Sequence, residues 1–173
     1  MTTRLVFMKK LKSKFIMKKF ILISFLSLLC LPIFAQNEYS LFFEQIEWLN
    51  NNPEEFYNEE NKWRISELMD FHDYLPEGEL LDYRGTKELN PQWENYKFKD
   101  YFVFVYSFNQ LHYKFKSSSS SKIECCFFAL KKLIDSYNLV LSKYPNLKLS
   151  SFEEYKLLSD SELKKRLRLL LDK

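Results

Sequence analysis

Hydrophobic residues recur every three or four positions along most of the chain after residue 38. That spacing places apolar side chains on one face of an α-helix and predicts a series of amphipathic helices. Asparagines at 50–52 interrupt the pattern, and Asn52-Pro53-Glu54-Glu55 then has the residues that begin a new helix. The stripes are Tyr39, Phe42, Phe43, Ile46 and Leu49; Ile65, Leu68, Met69, His72 and Leu75; Ile123, Cys126, Phe127, Leu130, Ile134, Tyr137, Leu141 and Tyr144; and Leu163, Leu167 and Leu170.

The segment 97–116 is compatible with two structures. Its centre, Tyr101–Tyr106, consists of aromatic residues and valines, which is typical of a strand. No Gly or Pro interrupts residues 92–116, however, and an unbroken run of that length favours a buried helix. A β-hairpin that turns at Asn109 and Gln110 stays open as the alternative. The helical stripe would be Phe98, Tyr101, Phe102, Val105, Phe108, His112 and Phe115.

Short polar segments separate the helices predicted in the last third of the chain. The serine tract Ser117–Ser121 predicts a flexible linker or loop. Pro145 ends the helix predicted over 122–144, and Ser151-Phe152-Glu153-Glu154 has the pattern of a capping box. Ser159 begins the last predicted helix.

Composition supports an α fold. The chain has only two glycines, which disfavours all-β folds because their turns use glycine, and 18% aromatic residues, which predicts a core rich in Phe and Tyr. We expect a mainly α, single-domain helical bundle of about five to six helices over residues 36–173. The alternative is an α+β fold with a hairpin at about 97–116.

The first 35 residues have the order of a secretory signal peptide. Seven basic residues and no acid precede an apolar segment, Phe20–Leu31, that only two serines interrupt, and Ala35 offers a cleavage point before Gln36. The apolar stretch 20–35 is shorter than the roughly 20 residues that span a bilayer. We therefore expect export to the periplasm or the exterior, with no stable membrane span after cleavage. Residues 1–16 are alternatively an over-long start, since a complete signal peptide also begins at Met17.

Cleavage would reverse the sign of the net charge. The whole chain carries 26 basic and 23 acidic residues, whereas residues 36–173 carry 19 basic and 23 acidic ones, a net charge of −4. Nucleic-acid binding, which depends on phosphate neutralisation by Lys and Arg, loses its main support. Residues 36–95 carry a net charge of −11 and residues 96–173 a net charge of +7. We expect these two halves to pack against each other because their charges attract.

Few residue patterns indicate catalysis. No His or Cys pair has the spacing of a zinc site, and the sequence contains neither a Gly-rich phosphate loop nor a serine elbow, so we expect no metal and no cofactor. Glu67 and His72 belong to the densest group of titratable residues and are candidates for general acid–base catalysis if they are buried together. His72 also lies on an apolar stripe, where a histidine is typically a packed core residue.

Cys125 and Cys126 are the only cysteines after residue 35. Adjacent helical cysteines lack the geometry to bond to each other. At about 100° per residue, Cys126 falls on the apolar stripe of helix 122–144 and Cys125 falls roughly opposite. We expect Cys126 to be buried and Cys125 to be exposed and available for an intermolecular disulfide, in a homodimer or with a partner. An element that covers Phe128 and Leu139 on the back of this helix would hide Cys125 as well.

These features predict an exported protein–protein interaction or accessory module of the bacterial cell envelope. Its expected partner is another envelope or secreted protein. The alternative is a small periplasmic hydrolase-type enzyme that uses Glu67 and His72. A concave pocket that joins these two residues would favour the enzyme.

Overall fold

The computed structural model describes residues 39–73, 82–89, 96–117 and 120–172. These residues contain six α-helices, three short 3-10 helices and no strand, which confirms the mainly α fold. The chain divides into two compact units, Met1–Leu41 and Phe42–Lys173, and the contacts given below belong to the second. The predicted signal peptide and its cleavage point lie outside the described residues. The helices are α1 (39–51), α2 (Lys62–Asp73), α3 (Lys99–Lys116), α4 (Lys122–Lys143), α5 (Ser150–Lys156) and α6 (Asp160–Leu171), and the 3-10 helices are Glu55–Tyr57, Glu59–Asn61 and Tyr83–Thr86.

Helix α3 decides between the two structures predicted for 97–116. It is continuous from Lys99 to Lys116, and Asn109 and Gln110 lie in its buried middle rather than at a hairpin turn. Strand propensity is weak compared with burial. A helix satisfies its own backbone hydrogen bonds and can therefore be surrounded by other elements. The packing of α3 on α4 is the most extensive contact between elements that the structure describes.

Local capping explains where the last helices begin, with one exception. Ser121 begins α4 and Ser159 begins α6, each in a capping box with the glutamate three residues later. The capping box predicted at Ser151 is wrong. The cap residue of helix α5 is Leu149, two residues earlier, and it instead donates its backbone N–H to the Tyr137 hydroxyl at 2.8 Å. A tertiary hydrogen bond here replaces the local cap.

The helix predicted to begin at Asn52 is also wrong. Helix α1 ends at residue 51, where the Asn52 side chain donates to the Trp48 carbonyl at 2.8 Å, and two single-turn 3-10 helices precede α2. Phe56, in the first of these turns, is buried against the rings of Tyr101 and Phe104. Packing of this aromatic side chain thus determines the backbone path after Pro53.

The core is rich in aromatic residues, as the composition predicts. Phe152 lies between Phe102 and Tyr137, with ring centroids 5.3 and 4.5 Å apart, and joins α5 to α3 and α4. Leu68 and Met69 of α2 are both predicted to face the core. Leu68 is buried, as predicted, but Met69 is 43% exposed, so the prediction is wrong there. Leu75 of that stripe lies outside the described residues.

Ion pairs connect the acidic and basic halves of the chain, as the charge pattern predicts. Each joins an acid before residue 96 to a base after it, at a distance of 2.5 Å. They are Glu54–Lys143, Asp82–Lys122 and Glu88–Arg166. None of the helices in the described residues combines the length and apolar character that crossing a membrane requires.

Candidate binding cleft

The two candidate catalytic residues, Glu67 and His72, lie on different sides of one helix. Glu67 and His72 lie on the same helix, α2, but five positions apart, which separates them by about 140° around the helix axis. Neither residue lines the cleft described below. The described part of the chain also contains no group of three or more side chains that could hold a metal ion.

The two cysteines are both buried. Cys126 is fully buried, as predicted, with its Sγ 3.6 Å from Gln110 Oε1, and burial raises the pKa of its thiol to about 11. Cys125 is only 7% exposed, which contradicts its predicted exposure. Its Sγ lies 3.5 Å from the Ser120 hydroxyl, so the end of the serine tract helps to cover the side of α4 that the helical wheel leaves open. The intermolecular disulfide at Cys125 stays a prediction, and it would require Cys125 to become exposed.

A cleft of about 560 Å³ lies among α1, α3 and α4. This volume is in the range of pockets that hold small molecules or a few side chains. On α4 its lining residues recur every three or four positions from 128 to 139, which corresponds to a length of roughly 16 Å at 1.5 Å per residue. The lining residues are Phe43, Glu47, Asn50 and Asn51 of α1, His112 and Lys116 of α3, and Phe128, Lys132, Asp135, Ser136 and Leu139 of α4.

One end of the cleft is aromatic. The imidazole of His112 packs against Phe43, with centroids 4.9 Å apart, and meets the Phe128 ring edge to face at 5.7 Å. Both imidazole nitrogens are buried and have no hydrogen-bond partner. Burial lowers the pKa of His112, and Lys116 and Lys132 lower it further, against the opposing charge of Glu47. The imidazole is therefore neutral at pH 7, and its polar atoms are unsatisfied, which is uncommon in protein interiors.

The other end of the cleft is held by a partly buried amide pair, Asn50 and Asn109. The side chains of Asn50 and Asn109 exchange hydrogen bonds of 3.1 and 2.6 Å, and Asn109 also donates to the Val105 carbonyl at 2.7 Å. The backbone carbonyl of Asn50 accepts from Tyr101 Oη at 3.3 Å and from Ser136 Oγ at 3.4 Å. These bonds fasten the end of α1 to both α3 and α4 and keep this end of the cleft in place.

Four charged side chains line the cleft without neutralising one another. None of Glu47, Lys116, Lys132 and Asp135 forms an ion pair with another residue that the structure describes. Lys132 instead lies over the Phe128 ring, 5.9 Å from its centroid. The cleft therefore offers charge of both signs, together with apolar walls, to a bound group.

The sequence indicates none of this site. His112 is part of an aromatic stripe and is predicted to be a core residue, Asn50 is predicted to end a helix, and Asn109 is predicted only as a hairpin turn. Each cleft residue has the spacing of its own helix, and nothing in the order of residues shows which helix faces which.

Comparison of the chain with protein-family models, with curated proteins and with solved structures finds no match.

Proposed function

We propose that this protein is an exported binding module of the bacterial cell envelope, and that it holds a segment of a partner protein in the cleft among α1, α3 and α4. The observation that supports this most directly is a cleft with apolar walls whose four charged side chains pair with no other residue in the described part of the chain. Interface cores combine aromatic contact with charges that become neutralised on binding.

The length of the cleft favours a polypeptide as the ligand. Roughly 16 Å along α4 corresponds to about four or five residues of an extended chain at ~3.3 Å per residue. Apolar walls at Phe43, Phe128 and Leu139 suit alternate side chains of such a segment.

We do not extend the proposal to the alternative hydrolase. Glu67 and His72 lie about 140° apart on α2, and neither lines the cleft among α1, α3 and α4, so the cleft does not support their joint action. The export part of the proposal depends on the signal-peptide order of residues 1–35.

Photocrosslinking from inside the cleft tests the proposal. A photoreactive amino acid at Asp135, an exposed cleft position, should crosslink to a partner in cells that express the full chain. The same amino acid at Asn138, exposed on α4 but outside the cleft lining, is the matched control. Binding of the purified partner should then be weakened by Asp135→Trp and not by Asn138→Trp. Equal crosslinking from the two positions, or none from either, would contradict the proposal.

A further inference from the structure

Two lysines flank the aromatic end of the cleft. Lys116 follows His112 by one turn of α3, and Lys132 follows Phe128 by one turn of α4. The Phe128 ring lies between the His112 ring, at 5.7 Å, and Lys132 Nζ, at 5.9 Å. The positive charges of Lys116 on α3 and Lys132 on α4 thus both line the cleft near the His112 and Phe128 rings.

The two lysines at this end of the cleft differ from other bases of the described residues in their pairing. Other bases pair with acids: Lys122 pairs with Asp82, and Lys143 pairs with Glu54. Lys116 and Lys132 form no ion pair within the described residues, and their effect on His112 outweighs that of Glu47. Two lysines that pair with no acid in the described residues therefore line this end of the cleft, as at a site that attracts an anion.

We infer that the aromatic end of the cleft binds a carboxylate of the partner polypeptide between Lys116 and Lys132, with a neighbouring apolar side chain against Phe43 and Phe128. This inference rests on the proposed function and specifies its ligand. Glu47 and Asp135 oppose a second negative charge further along the cleft, so a single carboxylate beside an apolar residue fits better than an acidic run.

Three acetylated peptides serve as probes and distinguish the sources of the carboxylate. The first is Ala-Ala-Phe with a free C-terminal carboxylate, the second is its C-terminal amide, and the third is Ala-Asp-Phe amide, whose only carboxylate is on a side chain. The first or the third should bind more tightly than the neutral amide, by about 5-fold or more. Equal binding of all three, or binding of none, overturns the inference.

The histidines report where the probe binds. The chain has only two, so the NMR signals of His112 and His72 can be followed separately, with His72 as an internal control. A carboxylate between the lysines should raise the pKa of His112, because it opposes the effect of the two lysines, and should leave the NMR signals of His72 in place. A probe that binds without changing the titration of His112 places the carboxylate elsewhere and overturns the inference.

Charge variants with opposite expected effects complete the test. Lys116→Gln and Lys132→Gln should each weaken binding of the carboxylate probe about 5-fold, whereas Glu47→Gln should strengthen it about 2-fold. Lys165→Gln, on the exposed side of α6, is the matched control and should have no effect. Thermal melting checks that all four variants keep the fold. Loss of affinity in Lys165→Gln equal to that in Lys132→Gln, or weaker binding in Glu47→Gln, overturns the inference.

The two proposals fail separately. One outcome is that crosslinking from Asp135 captures a partner while the two carboxylate probes bind no more tightly than the neutral amide. In that case the partner-binding function stands and the carboxylate site is wrong. If the probes behave as expected and no partner is captured, the carboxylate site stands and the function needs revision.

Discussion

Close packing leaves no room for a side chain at Gly85. A Cβ built on it would lie 2.2 Å from Tyr106 Oη and 3.0 Å from Leu167 Cδ2. The lack of a side chain at Gly85 therefore allows the 3-10 turn 83–86 to pack closely against α3 and α6. Burial raises the pKa of Tyr106, whose hydroxyl lies near the Cys126 thiol without a hydrogen bond of good geometry. Only glycine allows this approach to a buried tyrosine ring.

Gly85→Ala should therefore destabilise the protein by about 1–3 kcal/mol, because the Tyr106 ring is buried and cannot swing aside. Tyr106→Phe removes the clashing oxygen, and the nearest remaining ring atom is then 3.3 Å from the added Cβ. The double variant should recover most of the loss in urea unfolding. Additive effects of the two substitutions would mean that the turn, and not the hydroxyl, limits the space.

His112 should make stability depend on pH. Its folded pKa is lowered by burial and by the neighbouring lysines, so the unfolded chain binds the proton more readily. Stability is then highest above the unfolded pKa of about 6.5 and falls as the pH drops below it. His112→Phe keeps an aromatic ring between Phe43 and Phe128 and should lose less stability than the wild type between pH 7.5 and 5. Parallel pH profiles of the melting temperature for the two proteins would refute this.

At the scale of elements, helix positions follow from local signals and helix contacts do not. The capping boxes at Ser121 and Ser159 begin α4 and α6 where the sequence places them. The starts that fail, at Asn52 and Ser151, are those where a distant aromatic residue, Phe104 or Tyr137, controls the backbone. Capping energies of about 1 kcal/mol are small enough for one tertiary contact to override.

The turn 82–89 is joined to α4 by a buried carboxylate. Asp82 caps the 3-10 helix by accepting from the Arg84 N–H at 2.9 Å, and it pairs with the Arg84 side chain at 2.7 Å and with Lys122 at 2.5 Å. Burial alone would raise the pKa of Asp82, but the hydrogen bonds from Arg84 and Lys122 outweigh it and hold the pKa well below its usual range. Ionised Asp82 thus stabilises the fold.

Asp82→Asn should cost about 1–3 kcal/mol at pH 7, since it leaves Lys122 without its charged partner. The folded pKa is depressed, so the stabilisation is fully present above the unfolded pKa of about 3.9 and is lost as the pH falls through the lower folded value. The difference in unfolding free energy between the two proteins should stay constant from pH 7 to 5 and shrink below about pH 4. Asp160→Asn, at an exposed ion pair with Lys131, should show little effect and serves as the control.

At the scale of the whole molecule, the order of residues 1–35 predicts that the protein is exported. Cleavage after Ala35 would change the net charge from +3 to −4 and leave an exported chain that begins at Gln36. Mass spectrometry of the exported protein should show that N-terminus, and Ala35→Pro should block processing. Recovery of the intact chain as the only form in the membrane fraction would contradict the prediction.

The sequence by itself determined the fold class and the position of most helices, because apolar periodicity and end caps act within a few residues of the chain. It also predicted that the acidic half would pair with the basic half, since net charge needs no knowledge of contacts. Helical burial of 97–116, by contrast, is one of two structures that the sequence allows, and the packing of α3 on α4 decides between them.

Only the tertiary structure determines that the cleft forms and that Cys125 is buried. The cleft needs Asn50 beside Asn109 and Phe43 beside His112, contacts between residues far apart in the chain. Cys125 is buried and contacts Ser120, a neighbour that a helical wheel does not represent. A periodic pattern shows which side of a helix is apolar, but the neighbour that covers each side depends on how all the helices pack at once.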